Sequence, residues 1–274
     1  MKKFLFLTLL ISFELAIAQP NCQAFLSAGD TLKYRACEVA KARLNHYQFS
    51  RHYQEALDKA LAIDSTFAFA YRAKSTAYLK SGDFITWMQL MNQAVKYDTL
   101  GQLEYRGWCR YQFFRDYQGA ISDIELLDSL VDYDIGYSVN GDYHLHIGRA
   151  LCYKALGQTK KAIEIIEANL DEDFPGPYDY LHLGVMYLET RQLDKAIATF
   201  EKQQEINDLA ENHYYLALVY QQTGIQTKFD QHMMQAKEKY LEGYKLFDPY
   251  VEVMDQIYLE DIESALADVQ TQMD

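Results

Sequence analysis

The sequence predicts an all-α solenoid of stacked helix–turn–helix repeats behind an export leader. Apolar residues recur at three- and four-residue spacing along most of the chain, the mark of helices with one buried face. Small and aromatic positions return with a period of about 34 residues, and Gly, Asp or Pro punctuates the pattern where helices should end.

Residues 1–18 read as a leader rather than as part of the fold. Lys2 and Lys3 precede the apolar run Phe4–Phe13, and Ala16-Ile17-Ala18 supplies the small residues of a cleavage site. A soluble mature chain starting near Gln19 is expected, exported to the bacterial periplasm or beyond. No later apolar run is long enough to span a bilayer. Without Lys2, Lys3 and Glu14 the chain holds 24 basic against 38 acidic residues, which argues against nucleic acid and anionic membrane surfaces as partners.

Residues 19–32 form an N-terminal segment carrying Cys22. A continuous helix would hold Cys22 and Cys37 about 22 Å apart. They can form a disulfide only if the chain turns between them, and Gly29-Asp30 offers such a turn. Cys109 and Cys152 fall inside helical patterns and read as small buried thiols.

The repeats occupy residues 33–247. Residues 146–166 (HIGRALCYKALGQTKKAIEII) align with 180–200 (YLHLGVMYLETRQLDKAIATF) at an offset of 34, placing Gly184 over Ala150, Tyr187 over Tyr153, Ala196 over Ala162 and Phe200 over Ile166. Ala217 and Tyr220 repeat the first two roles at an offset of 33. Gly82, Gly157 and Gly224 mark left-handed helix ends, and Ala162 and Ala196 let paired helices approach closely. These positions resemble the tetratricopeptide repeat. The resemblance implies an α-solenoid with a right-handed superhelical twist and first helices lining a concave groove. Six units of varying quality start near Lys33, Ala68, Gln102, Tyr143, Pro177 and Ala210. Trp87 replaces the usual alanine of the second unit, and the first helix of the Gln102 unit is one residue too long. The period also stretches near 131–142, an insertion with a turn signal at Asn140-Gly141: a longer surface connection, or a loop that contributes to binding.

The chain should close with a cap. Asp248-Pro249 reads as the start of a helix, with Val251, Met254, Ile257, Tyr258, Ile262 and Leu266 as its apolar stripe, so 248–274 is expected to be a capping helix and tail.

No sequence signature for catalysis, metal or cofactor emerges. H-E-x-x-H, P-loop, Rossmann and G-x-S-x-G patterns are absent. His144 and His146 point apart on a helix, while His182, His213 and His232 stand alone. By resemblance, the groove should be lined by Arg72, Thr76, Arg106, Arg110, Phe113, Phe114, Ile147, Leu151, Tyr178, Leu181 and Tyr214. Arginine forks suit carboxylates and aromatics give rigid contact area. The competing reading pairs these arginines with neighbouring acids and packs the aromatics as core. Together these features predict a protein-interaction scaffold or adaptor of the cell envelope that binds a protein or peptide. The alternative is an accessory substrate-binding component, or an enzyme acting on peptides or glycans.

Overall fold

The computed structural model describes residues 20–172 and 175–273, so the expected leader lies outside the described residues. The described residues divide into two compact units, one ending at Tyr97 and the other beginning at Asp98.

The first unit contains α1 (Cys22–Ser27), α2 (Thr31–Ala40), α3 (Arg51–Ile63), α4 (Ala68–Ser81) and α5 (Phe84–Tyr97). Gly29 is left-handed and Asp30 caps α2 by accepting from the Lys33 N–H at 2.9 Å. The chain therefore reverses between α1 and α2, and Cys22 and Cys37 are joined by a disulfide with Cα atoms 5.5 Å apart. Closing a loop of this length contributes about 3 kcal/mol. Around it pack Leu57, Ala60, Phe67 and Ala70, all buried. Gly82 ends α4 in the left-handed conformation, and Asp83 accepts from the Thr86 N–H to start α5. Trp87 is fully buried in α5, where its bulk takes the space a small residue holds elsewhere.

The second unit contains α6 (Thr99–Cys109), α7 (Tyr117–Leu130), α8 (Leu145–Ala155), α9 (Thr159–Glu172), α10 (Asp179–Glu189), α11 (Leu193–Ile206), α12 (Ala210–Thr223), α13 (Gln226–Glu242) and α14 (Leu259–Met273). Among the described residues the helices form six helix–turn–helix pairs, from α2–α3 to α12–α13. The extra residue in the third pair is absorbed as a π-helical turn over Arg110–Phe114, closed by left-handed Arg115. That is how a helix accommodates one residue too many. Gly157 and Gly224 end α8 and α12 in the left-handed conformation, while Arg191 takes it after α10. Ala162, Ile166, Ala196 and Phe200 are fully buried where the paired helices cross.

Two connections position the functional surface. Residues 131–144 fold back on themselves: Ser138 N–H donates to the Tyr143 carbonyl at 2.7 Å and Leu145 N–H to the Gly136 carbonyl at 2.9 Å. His144 pins this turn to Asp134 at 2.8 Å and caps α8 by accepting from the His146 N–H. The second connection corrects the sequence reading. No helix starts at Asp248; its carboxylate accepts from the Tyr250 and Val251 N–H groups in a local turn, and the last helix begins at Leu259. Residues 244–258 run instead as an irregular strap between α13 and α14. No described helix is long and apolar enough to cross a membrane.

Candidate functional site

Each unit presents a first-helix surface, and the two are in different states. In the first unit it is open. Arg43, Leu44, Tyr53, Phe69, Arg72 and Thr76 line a cavity of about 590 Å³. Arg72 and Thr76 both sit half-buried on α4, with the Thr76 hydroxyl 3.3 Å from the Arg72 carbonyl. Arg43, which the sequence reading passed over, is 4% exposed. Its Nη1 donates to the Ala40 carbonyl at 3.1 Å, and its guanidinium lies 4.6 Å from the Phe69 ring centroid. Burial pushes its pKa down, yet a guanidinium keeps its proton in proteins. Among the described residues no carboxylate forms an ion pair with it, so a buried cation faces an aromatic-walled cavity.

In the second unit the surface is filled by the chain's own strap. Asp255 is its anchor. The carboxylate meets Lys154 Nζ of α8 at 2.5 Å and His182 Nδ1 of α10 at 2.7 Å. A carboxylate only accepts, so Nδ1 carries a proton. His182 Nε2 lies 3.1 Å from the hydroxyl of Tyr143, the buried last residue before the α8 cap, and Lys154 also pairs with Glu189 at 3.1 Å. Burial pushes the Asp255 carboxyl up, but the charge of Lys154 and the hydrogen bond from His182 outweigh it and hold its pKa below the ordinary value.

The rest of the strap is held at intervals. Gln112 donates to Asp248 at 3.2 Å, Arg115 pairs with Glu252 at 3.1 Å, and the Tyr215 hydroxyl donates to the Asp255 carbonyl at 3.2 Å. Buried Glu211, at the start of α12, accepts from the Leu246 N–H at 3.1 Å. Burial raises its pKa against the pull of that donor and of the Ile257 N–H.

The expected groove residues of the second unit sort into three groups. Arg106 and Arg110 pair with an acid: Arg106 grips the buried Asp123 of α7 with two hydrogen bonds of 2.8 and 2.6 Å, and Arg110 reaches the same carboxylate at 3.0 Å. They lock α6 onto α7. Ile147, Leu151 and Leu181 are fully buried in the core, because a stacked first helix is covered on both flanks. Phe113, Phe114, Tyr178 and Tyr214 are half-buried, with the Tyr178 ring tilted against Tyr143, centroids 5.6 Å apart. Two of the residues that grip the strap, His182 and Tyr215, are not among the expected ones. His182 stands alone in the sequence, since its partner lies 73 positions away.

The Tyr143–His182–Asp255–Lys154 cluster has acid–base members but no catalytic geometry. His182 has no exposed surface and both Asp255 oxygens are engaged, so the cluster offers no proton to a substrate. Among the described residues no group of His, Cys, Asp and Glu is arranged to hold a metal ion.

His213 and His232 also pair, with Nδ1 atoms 3.1 Å apart. Burial lowers both, and for His232 the charges of His213 and Lys228 add to bring it down to about 4. Above the ordinary imidazole value of 6.5 both rings are neutral in the folded and unfolded chain alike. Between there and about 4 His232 takes the proton only in the unfolded chain, so stability falls as pH falls. Chemical denaturation from pH 7.5 to 4.5 should cost the protein about 2 kcal/mol more than it costs His232→Gln; equal losses would show that the pair is not responsible.

Comparison with known proteins places the fold. The tetratricopeptide-repeat family pattern matches residues 180–208, the α10–α11 repeat. No curated protein sequence matches the chain. Among solved structures it is similar to PilW, described as a widely conserved type IV pilus biogenesis factor, at 12% identity and TM-score 0.59, over 89% of this chain and 94% of that one. It is similar to Pseudomonas aeruginosa PilF at 14% identity and TM-score 0.61, over 88% and 99%. YrrB, a tetratricopeptide-repeat protein with an unusual peptide-binding site, matches at 16% identity and TM-score 0.53, over 69% and 95%. At these identities the likeness establishes an all-helical, tetratricopeptide-like repeat fold.

Proposed function

We propose that this chain is a protein-interaction scaffold or adaptor of the bacterial cell envelope, binding a protein or peptide partner on its first-helix surfaces. The observation that carries this reading is the open cavity of the first unit, where buried Arg43 faces aromatic walls and Arg72 adds a second guanidinium. A partner carboxylate there would meet a charge already desolvated by the fold, and hydrogen bonds to charged groups contribute about 1.5–3 kcal/mol. The leader-like residues 1–18 and the disulfide support an exported protein, since disulfides persist in oxidising compartments. PilW and YrrB put similar folds to use in pilus biogenesis and peptide binding.

Crosslinking in the native envelope, followed by mass spectrometry, tests the proposal. Arg72→Glu, which reverses charge in the cavity lining, and Ala73→Trp, which fills the cavity, should each reduce recovery of the main crosslinked partner at least about tenfold. Their helical circular dichroism should be unchanged. Undiminished recovery with both folded variants would remove the first-unit cavity from the binding surface.

A further inference from the structure

We propose that residues 246–258 are a resident ligand of the second unit's first-helix groove, and that a non-helical acidic segment of a partner binds there by displacing them, setting a carboxylate between Lys154 and His182. The proposal rests on the reading of first-helix surfaces as recognition surfaces, and it names the ligand chemistry for the one already occupied.

The strap is held as a bound peptide would be. It has no regular secondary structure, and groove side chains read its main chain: Tyr215 donates to the Asp255 carbonyl, and Glu211 accepts from the Leu246 N–H. Its three acids, Asp248, Glu252 and Asp255, meet Gln112, Arg115, and the pair Lys154 and His182. Leu246 and Ile257 are the apolar anchors, 1% and 3% exposed. Spaced pockets plus main-chain hydrogen bonds are a usual basis of peptide recognition. The groove therefore selects a non-helical segment bearing a carboxylate flanked by apolar residues.

The strap also fits imperfectly, which leaves room for a better ligand. Phe247 and Tyr250, two of its largest side chains, are 71% and 65% exposed. A cavity of about 220 Å³ remains between the strap and Tyr111, Gln112, Arg115 and Tyr117. Asp248 lies close enough to Asp142 of the 131–144 turn for their like charges to oppose each other, and burial together with that repulsion raises the Asp142 pKa. Asp255 itself adopts a left-handed backbone, φ 63°, which a side-chain-bearing residue adopts uncommonly. A partner segment free of these defects gains on the strap, whose advantage is its tether: a local concentration in the millimolar range.

Two measurements on the full chain test this. In hydrogen exchange, strap amides 246–258 should exchange at least about tenfold faster than those of α12 and α13, because the strap opens while the helices stay folded. In fluorescence anisotropy, a labelled peptide LFDPYVEVMDQIY, the strap sequence, serves as probe. Glu252→Lys sets a cation against Arg115 and raises the open fraction. The variant should bind the probe about tenfold more tightly than the unaltered chain, since apparent affinity scales with the competent fraction. A probe with asparagine in place of its second aspartate should bind about tenfold more weakly. Strap exchange in step with α12 and α13, no probe binding to Glu252→Lys at about 1 mM, or equal binding of both probes would each overturn the proposal. These readouts are independent of partner capture by the first unit, so failure there would leave them standing.

Discussion

Asp255→Ala is expected to destabilise the second unit by about 3 kcal/mol, near the lower end of what breaking a buried ion pair costs. The carboxylate is 7% exposed and joins Lys154, 9% exposed, to His182, which is fully buried. Removing it strands an ammonium and a ring N–H in a site with little water. Two effects keep the loss from being larger. Lys154 retains Glu189, and once the strap leaves the groove both stranded groups reach solvent. The loss is therefore capped by the free energy with which the strap docks. For a unit of this size it should appear as a melting point lower by roughly 6–12 °C, with new proteolytic cuts inside 246–258. Adding Lys154→Met should recover part of the loss, because the pair is coupled. A melting point unmoved by Asp255→Ala would mean that the cluster anchors nothing. The pH dependence has the same origin. A carboxyl held below its ordinary pKa contributes stability that is complete above that ordinary value, and the contribution is lost as pH falls through the folded value.

The repeat architecture was legible because its determinants are local and periodic. Ala162 and Ala196 must be small, Ile166 and Phe200 must fill, and Gly82, Gly157 and Gly224 must turn, at offsets a single sequence displays. Even the one-residue excess in the third pair could be counted before its π-helical form was known. The occupied groove was hidden for the opposite reason. Val251, Met254, Ile257 and Tyr258 fall at helical spacing, and Asp248-Pro249 is a good helix start, so local rules favour a helix there. Tertiary contacts override them: Glu211, Tyr215 and the Lys154–His182 pair satisfy the strap's polar groups in an irregular, non-helical form, and its apolar residues find the first-helix surface. The groove prediction failed in part on geometry. Resemblance placed Ile147, Leu151 and Leu181 on the concave face, but stacking against the next repeat buries them. Arg106 and Arg110 found Asp123, on the opposing helix of their own pair, a contact that sequence spacing does not reveal.

Gly184→Ala separates what the repeat pattern permits from what this structure permits. Sequence alignment puts Gly184 in register with Ala150, so alanine looks acceptable and should even favour α10 by about 1 kcal/mol through helix propensity. The packing says otherwise. A Cβ at Gly184 would stand 2.5 Å from Phe200 Cε1 and 2.7 Å from Cδ1, where something must move. Phe200 has no exposed surface, and its ring lies parallel to Tyr215 at 6.2 Å, so it has little freedom to yield. Overpacking a filled core costs about 1–3 kcal/mol, and with a rigid ring the upper part of that range applies. A net loss of about 2 kcal/mol is expected, measured by urea denaturation. The neighbouring repeat carries that alanine, and at the position aligned with Phe200 it has Ile166, which is branched and smaller than a phenyl ring. Exchanging Phe200 for isoleucine should thus reverse the sign. In the Phe200→Ile background Gly184→Ala is expected to stabilise, by up to about 1 kcal/mol as the helix regains its propensity. If Gly184→Ala destabilised both backgrounds equally, the ring would not be the obstacle, and the glycine would be serving the helix crossing itself.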